Sequence, residues 1–129
     1  NSGYDNITPK ETKTMAFSEL EIKRIQKLAD SFLEKRRPPV HLRKELDLGY
    51  RIDGNSIVIF EIRPLWNNPE KIIEVPVAKT TYVKKNDVWK IYWQRADLKW
   101  HGYKPDPEVK TLDEFFRIVD EDEFGCFWG

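Results

Sequence analysis

The chain has 129 residues, 40% apolar and 34% charged, with 22 basic and 22 acidic side chains that cancel. That length suggests one domain, and the apolar share is enough for a core that needs no covalent staple. One Cys and two His exclude an intrachain disulfide and a cysteine-based zinc site, and the neutral balance argues against general binding of duplex nucleic acid.

The first segment, NSGYDNITPKETKT, is polar and aperiodic. It reads as a disordered leader or an added extension over residues 1–14, leaving residues 15–129 as a single α+β domain. No apolar run approaches a membrane span and no signal-peptide pattern opens the chain, so the expectation is a soluble, cytoplasmic protein.

FSELEI then offers Ser18 as a helix N-cap with Glu21 three residues on, the pattern of a capping box. Ile22, Ile25, Leu28, Ala29, Phe32 and Leu33 follow at helical spacing. Lys35, Arg36 and Arg37 suit the negative end of the helix dipole, and Pro38 and Pro39 stop the helix, which is predicted over about residues 18–36.

After the prolines the period changes to two. Leu46, Leu48, Tyr50 and Ile52 alternate with charged or small residues, DGN at 53–55 signals a hairpin, and SIVIFEIRP supplies a second strand. PLWNNP reads as a loop and KIIEVPVAKTTYVKK as a long third strand, in which Pro76 marks a sheet edge or a bulge. VWKIYWQR makes a fourth strand, with Trp89, Ile91 and Trp93 on one face. Thr111 and Glu114 form a second capping box, followed by an amphipathic helix carrying Leu112, Phe115, Phe116, Ile118 and Val119. The aromatic end, EDEFGCFWG, is expected to dock. The predicted fold is α+β: an N-terminal helix, a four-stranded antiparallel meander, and a C-terminal helix packed on one face of the sheet.

Charge is unevenly placed along this order. Lys79 to Lys104 contains seven basic residues against Asp87 and Asp97, whereas Asp106 to Glu123 contains eight acidic residues against Lys110 and Arg117. The acidic tail is expected to pack beside the basic sheet and neutralise it.

Three stretches, IFEIRPLWNNP, VPVAKTTYVKKNDVWKIYWQRADLKWHGY and EVKTLDEFFRIVDEDEFGCFWG, give the chain from about Arg37 onward a likeness. It resembles the bacterial family called domain of unknown function 3024. The resemblance implies a discrete domain in a bacterial setting, and brings no assigned activity, cofactor or catalytic residue.

Two candidate sites come from the residues themselves. In the first hairpin, Asp47 precedes the turn and Glu61 and Arg63 follow it. Nuclease cores of the PD-(D/E)xK type hold Mg²⁺ between two such carboxylates and use the following Lys on the attacking water. Period two puts Glu61 and Arg63 on one face of their strand. Arg in place of Lys is a poor general base, because it stays protonated. The plainer reading is a charge ladder paired across to Arg51 or Lys79.

The second site is YWQRADLKWHGY. If the strand runs straight through, Arg95, Asp97, Lys99 and His101 form one polar stripe continuing the face of Trp89, Ile91 and Trp93, with Tyr92, Gln94, Ala96, Leu98 and Trp100 opposite; the candidate binding residues are Trp93, Arg95, Asp97, Lys99, Trp100, His101 and Tyr103. Such an aromatic platform running into charge suits a planar or anionic ligand, or stacked single-stranded bases. Asp97 with His101 could act as an acid–base pair. Alternatively RADL is a turn and the Trp residues are core. The leading reading is a non-catalytic binding or interaction module, without cofactor, for a small anionic or aromatic ligand or a protein partner. The alternative is a metal-dependent phosphodiesterase using Asp47, Glu61 and Arg63 with Mg²⁺. Homodimerisation through the Pro76 edge strand is compatible with both.

Overall fold

The capping box in FSELEI forms. Ser18 donates its backbone N–H to the Glu21 carboxylate at 2.8 Å, and its hydroxyl oxygen accepts the Glu21 N–H at 3.2 Å. These bonds start α1, Glu19–Arg36, in a computed structural model that describes residues 17–128. The expected leader, residues 1–14, lies outside the described residues. Ile25, Ala29 and Phe32 are the buried stripe of α1. The helix ends at Arg37, whose extended backbone is the conformation a following proline imposes.

A 3₁₀ turn, Val40–Leu42, leads into the sheet. Its strands are β1 (Asp47–Asp53), β2 (Ser56–Leu65), β3 (Asn68–Val83), β4 (Val88–Gln94), β5 (Trp100–Gly102) and β6 (Glu108–Val109). All pair antiparallel in the order β1-β2-β3-β4-β5, with β6 also on β4. The last element is α2, Leu112–Glu121, capped by the Thr111 hydroxyl, which accepts the Glu114 N–H. Two helices and an antiparallel meander are the architecture the periodicity predicts. The sheet has six strands where the pattern predicts four. The additional two, β5 and β6, are three and two residues long, too short to display a period.

Two local features refine the sheet. PLWNNP is no loop: β2 and β3 run into a tight turn at Trp66 and Asn67, with Leu65 opposite Asn68. Pro76 sits opposite Phe60 while Ala78 faces Ile59, so Val77 is the extra residue of a bulge. β4 begins to pair only at Ala78, which leaves Pro76 on a stretch of β3 with an open outer edge. A missing N–H costs least there.

The pleat separates the two faces. Ile57 and Ile59 from β2, Ala78 and Thr80 from β3, and Ile91 from β4 point to the helices and join Ile25, Phe32, Phe115 and Val119 in one core. Thr80, fully buried, donates its hydroxyl to the Lys90 carbonyl at 2.8 Å, which removes the penalty of a buried polar group. Phe17 lies on the rings of Trp89 and Tyr82, sealing one end of this core. Among the described residues, the other face has no helix over it. There Arg51 lies over Phe60 at 5.2 Å and the Lys79 ammonium over both Tyr92 and Trp100 at 5.0 Å. Cationic heads and their aliphatic stems thus cover aromatic surface that would otherwise meet water.

The layers are tied at one corner. Arg36 donates to the Asp120 carboxylate at 3.1 Å and to the Asp120 carbonyl at 2.8 Å, and its guanidinium lies 4.3 Å from the Trp128 ring centre. The basic end of α1 therefore fastens α2 and the C-terminal segment as well as matching its own dipole. Phe115 is 0% exposed and Trp66 is 88% exposed. Phe115→Ala is expected to lower unfolding stability by about 3–5 kcal/mol in urea titration, whereas Trp66→Ser changes it by less than about 0.5 kcal/mol.

Candidate functional site

The stretch after Trp93 turns back on itself. β4 stops at Gln94, and Arg95 to Lys99 form the bend: the Leu98 N–H reaches the Arg95 carbonyl at 2.8 Å, and the Arg95 N–H reaches the Lys99 carbonyl at 3.3 Å. Leu98 takes a φ of +63°, a left-handed conformation that costs a branched side chain energy. Asp97 offsets that cost. One carboxylate oxygen accepts the Lys99 N–H at 2.9 Å, and the other meets His101 Nε2 at 2.9 Å. An aspartate bonding the backbone two residues on is a turn-forming device, and here it also orients an imidazole. The Lys99 N–H first, and His101 second, hold the Asp97 carboxyl below the usual carboxylate range.

The bend decides which predicted residues meet. His101 lands opposite Trp93, on one face, and Trp100 lands opposite Gln94, on the other. Trp93, Arg95, His101 and Tyr103 line one cavity of about 400 Å³, together with Gly102, Lys104, Pro105 and Cys126. Asp97 stands behind His101, Lys99 is not in the lining, and Trp100 belongs to the opposite face beside Lys79. The straight polar stripe of the first alternative therefore does not form, and the turn of the second does.

The cavity carries two cations, Arg95 and Lys104, over an aromatic base, and burial together with the charges of Asp122, Asp106 and Glu123 raises the Tyr103 hydroxyl above its ordinary value. The Arg95 guanidinium lies 5.6 Å from the Trp93 ring centre, and Tyr103, 2% exposed, packs on Phe127 at 4.9 Å. Trp93 packs against the core, so only part of the ring is available. Among the described residues, neither Arg95 nor Lys104 has an acidic partner within salt-bridge distance; Arg24, Arg43 and the other lysines share this, whereas Arg36, Arg37, Arg51, Arg63 and Arg117 are paired. Burial, and secondarily Asp122, pushes the Cys126 thiol up, so it is a wall of the cavity and not an activated nucleophile.

The acidic tail does not plug this cavity. Asp120 pairs with Arg36 and Glu121 with Arg117 at 3.1 Å each. Asp122 accepts the N–H groups of Phe127 at 3.1 Å and Trp128 at 3.0 Å, which curls the chain end back. Among the described residues no salt bridge joins the tail to Arg95, Lys99 or Lys104. The tail brings Cys126 to the cavity wall, and its Asp122 and Glu123 add negative charge near Tyr103. Cys126 and Lys104 were the lining residues that periodicity missed, because a loop and a docked tail carry no period.

The other predicted group is dispersed. Asp47 faces Ile62 and Leu48 faces Glu61, so the two carboxylates occupy opposite faces of the sheet. Asp47 accepts a two-pronged pair from Arg37 at 2.8 and 2.7 Å, and a further bond from the Leu48 N–H at 2.8 Å. Glu61 lies 3.8 Å from Arg63 on its own strand, while Arg51 pairs with Glu74. Among the described residues there is no group of three or more His, Cys, Asp or Glu placed to hold a metal ion. No helix of the described residues is long and apolar enough to cross a membrane.

A family model described as "Domain of unknown function (DUF3024)" matches residues 17–129. No curated protein and no solved structure matches the chain.

The Arg37 pair, above all, holds the Asp47 carboxyl below its ordinary value. Its stabilisation is present above the unfolded carboxylate pKa of about 3.9 and disappears as pH falls through the lower folded value. Asp47→Asn is expected to lower the thermal midpoint by about 2–4 °C at pH 7 and to leave it unchanged near pH 2. Scanning calorimetry across this range reads the difference directly.

Proposed function

The chain belongs to the DUF3024 family, and from that premise we propose that it is a binding module for a small anionic or planar ligand, held in the cavity between Trp93, Arg95, His101 and Lys104. The observation carrying this reading is the convergence of two cations without acidic partners on a ligand-sized, aromatic-floored cavity. Both cations are exposed and solvated, and an anion entering between them gains attraction without displacing an internal partner. The imidazole is oriented by Asp97 and so presents one fixed edge. The exposed part of the Trp93 ring supplies apolar area for the flat part of a ligand, with buried Tyr103 beneath as support.

The reading is non-catalytic because, among the described residues, the cavity presents no activated nucleophile. The thiol is held protonated by burial, and the Asp97–His101 pair has no hydroxyl or thiolate nucleophile bonded to it. Asp47, Glu61 and Arg63 are spent in pairs on separate faces, so the metal-dependent alternative has no observation in its favour.

Calorimetric titration with benzoate, inorganic phosphate and adenosine monophosphate tests the proposal. At least one is expected to bind, with affinity reduced about tenfold or more in the Arg95→Gln, Lys104→Gln double variant at unchanged thermal midpoint. Binding that the double variant retains, or no binding of any of the three, would contradict it.

A further inference from the structure

Strand β5 is the end of the sheet path, with no strand on its outer side among the described residues. The ladder to β4 fixes which backbone groups face outward. The Tyr103 N–H bonds to the Ile91 carbonyl and the Arg95 N–H to the Lys99 carbonyl. Antiparallel ladders alternate between pairs that exchange both bonds and pairs that exchange none. Trp93 and His101 are therefore a bonded pair. Trp100 and Gly102, opposite Gln94 and Tyr92, turn their N–H and C=O groups away from β4. Gly102 is exposed, and a Cβ placed on it would meet nothing within 4 Å. The sheet face above Gly102 is therefore clear, and an open edge is a template for another strand.

Two of the three residues of β5, His101 and Gly102, border the cavity, while Trp100 lies on the other face. A strand added beside β5 alternates its side chains between the two faces. On one face they look toward Arg95 and Lys104, and on the other toward Trp100, whose ring is already shown to accept a cation-bearing neighbour in Lys79. The charge on the cavity side selects an acidic group.

We propose that the site takes an extended acidic peptide, which pairs as an added strand along Trp100–Gly102 and sets a carboxylate beside Arg95 and Lys104. This rests on the anion-binding reading of the cavity and names its partner class. Main-chain bonds supply the geometry and the carboxylate supplies most of the selectivity, since only two residues of β5 offer outward groups.

The test uses fluorescence anisotropy with a fluorescein-labelled hexapeptide of alternating valine and glutamate. Its comparators carry glutamine for glutamate, a C-terminal amide, or N-methyl groups on alternate backbone amides in each of the two phases. The parent peptide is expected to bind. One N-methyl phase should weaken binding about tenfold or more and the other should not, because only alternate amides face β5. Loss with glutamine assigns the carboxylate to a side chain, and loss with the amide assigns it to the C-terminus. Equal binding by both N-methylated phases, or by both neutralised peptides, overturns the proposal. Benzoate binding without peptide binding overturns it while leaving the anion site standing, and failure of both probes removes the site as well.

Discussion

The pairing of Trp93 with His101 is the constraint on which the rest of the site depends. It exists because Asp97 closes the Arg95–Lys99 bend, bonding one oxygen to the backbone and the other to the imidazole. Shifting this hairpin by one residue would move His101 to the far face and bring Trp100 to the cavity, because side-chain direction alternates along a strand. The cavity's composition is therefore a consequence of register. A left-handed Leu98, an aspartate turn and a three-residue strand together decide which half of an aromatic, charged stretch faces the helices.

Charge placement follows the same logic at a larger scale. The basic middle and acidic tail look complementary along the chain, yet their ion pairs are made elsewhere. The tail's acids fasten onto Arg36 of α1, onto Arg117 of α2, and onto backbone amides that curl the terminus. Cations on the face away from the helices lie on aromatic rings, and Arg51 is also paired with Glu74. What is left without an acidic partner at the cavity is Arg95 and Lys104. Among the described residues Arg24 and Arg43 also lack a salt bridge, so what distinguishes Arg95 is its place with Lys104 beside an aromatic hollow.

Much of the architecture was legible because it is written in period and punctuation. The spacing of Ile25, Ala29 and Phe32, the Ser18 and Thr111 caps, and Pro38 fix the helices. Alternation from Leu48 to Trp93 fixes the meander, and Pro76 marked the bulge. The site was legible only in part. Trp93, Arg95, His101 and Tyr103 were named from composition, but their grouping depended on a bend that both alternatives left open. Trp100 lies on the face opposite His101, as strand alternation alone predicts, so composition and not placement made it a candidate. Asp47 and Glu61 looked convergent because hairpin strands are adjacent. Their separation depends on a one-residue difference in register, which no composition reveals. Lys104 and Cys126 sit on a loop and on a tail placed by long-range contacts with Tyr103 and Val119.

The central claim, that an open cationic cavity exists where Trp93, Arg95 and Lys104 meet, has a built-in reporter. Cys126 is the chain's single cysteine and lines that cavity. The direct measurement is its rate of reaction with a doubly anionic aromatic disulfide relative to a neutral one of similar size. The folded protein should prefer the anionic reagent more strongly than the urea-unfolded chain does, and Arg95→Gln with Lys104→Gln should abolish the excess. A folded-state preference equal to or below that of the unfolded chain would contradict the account.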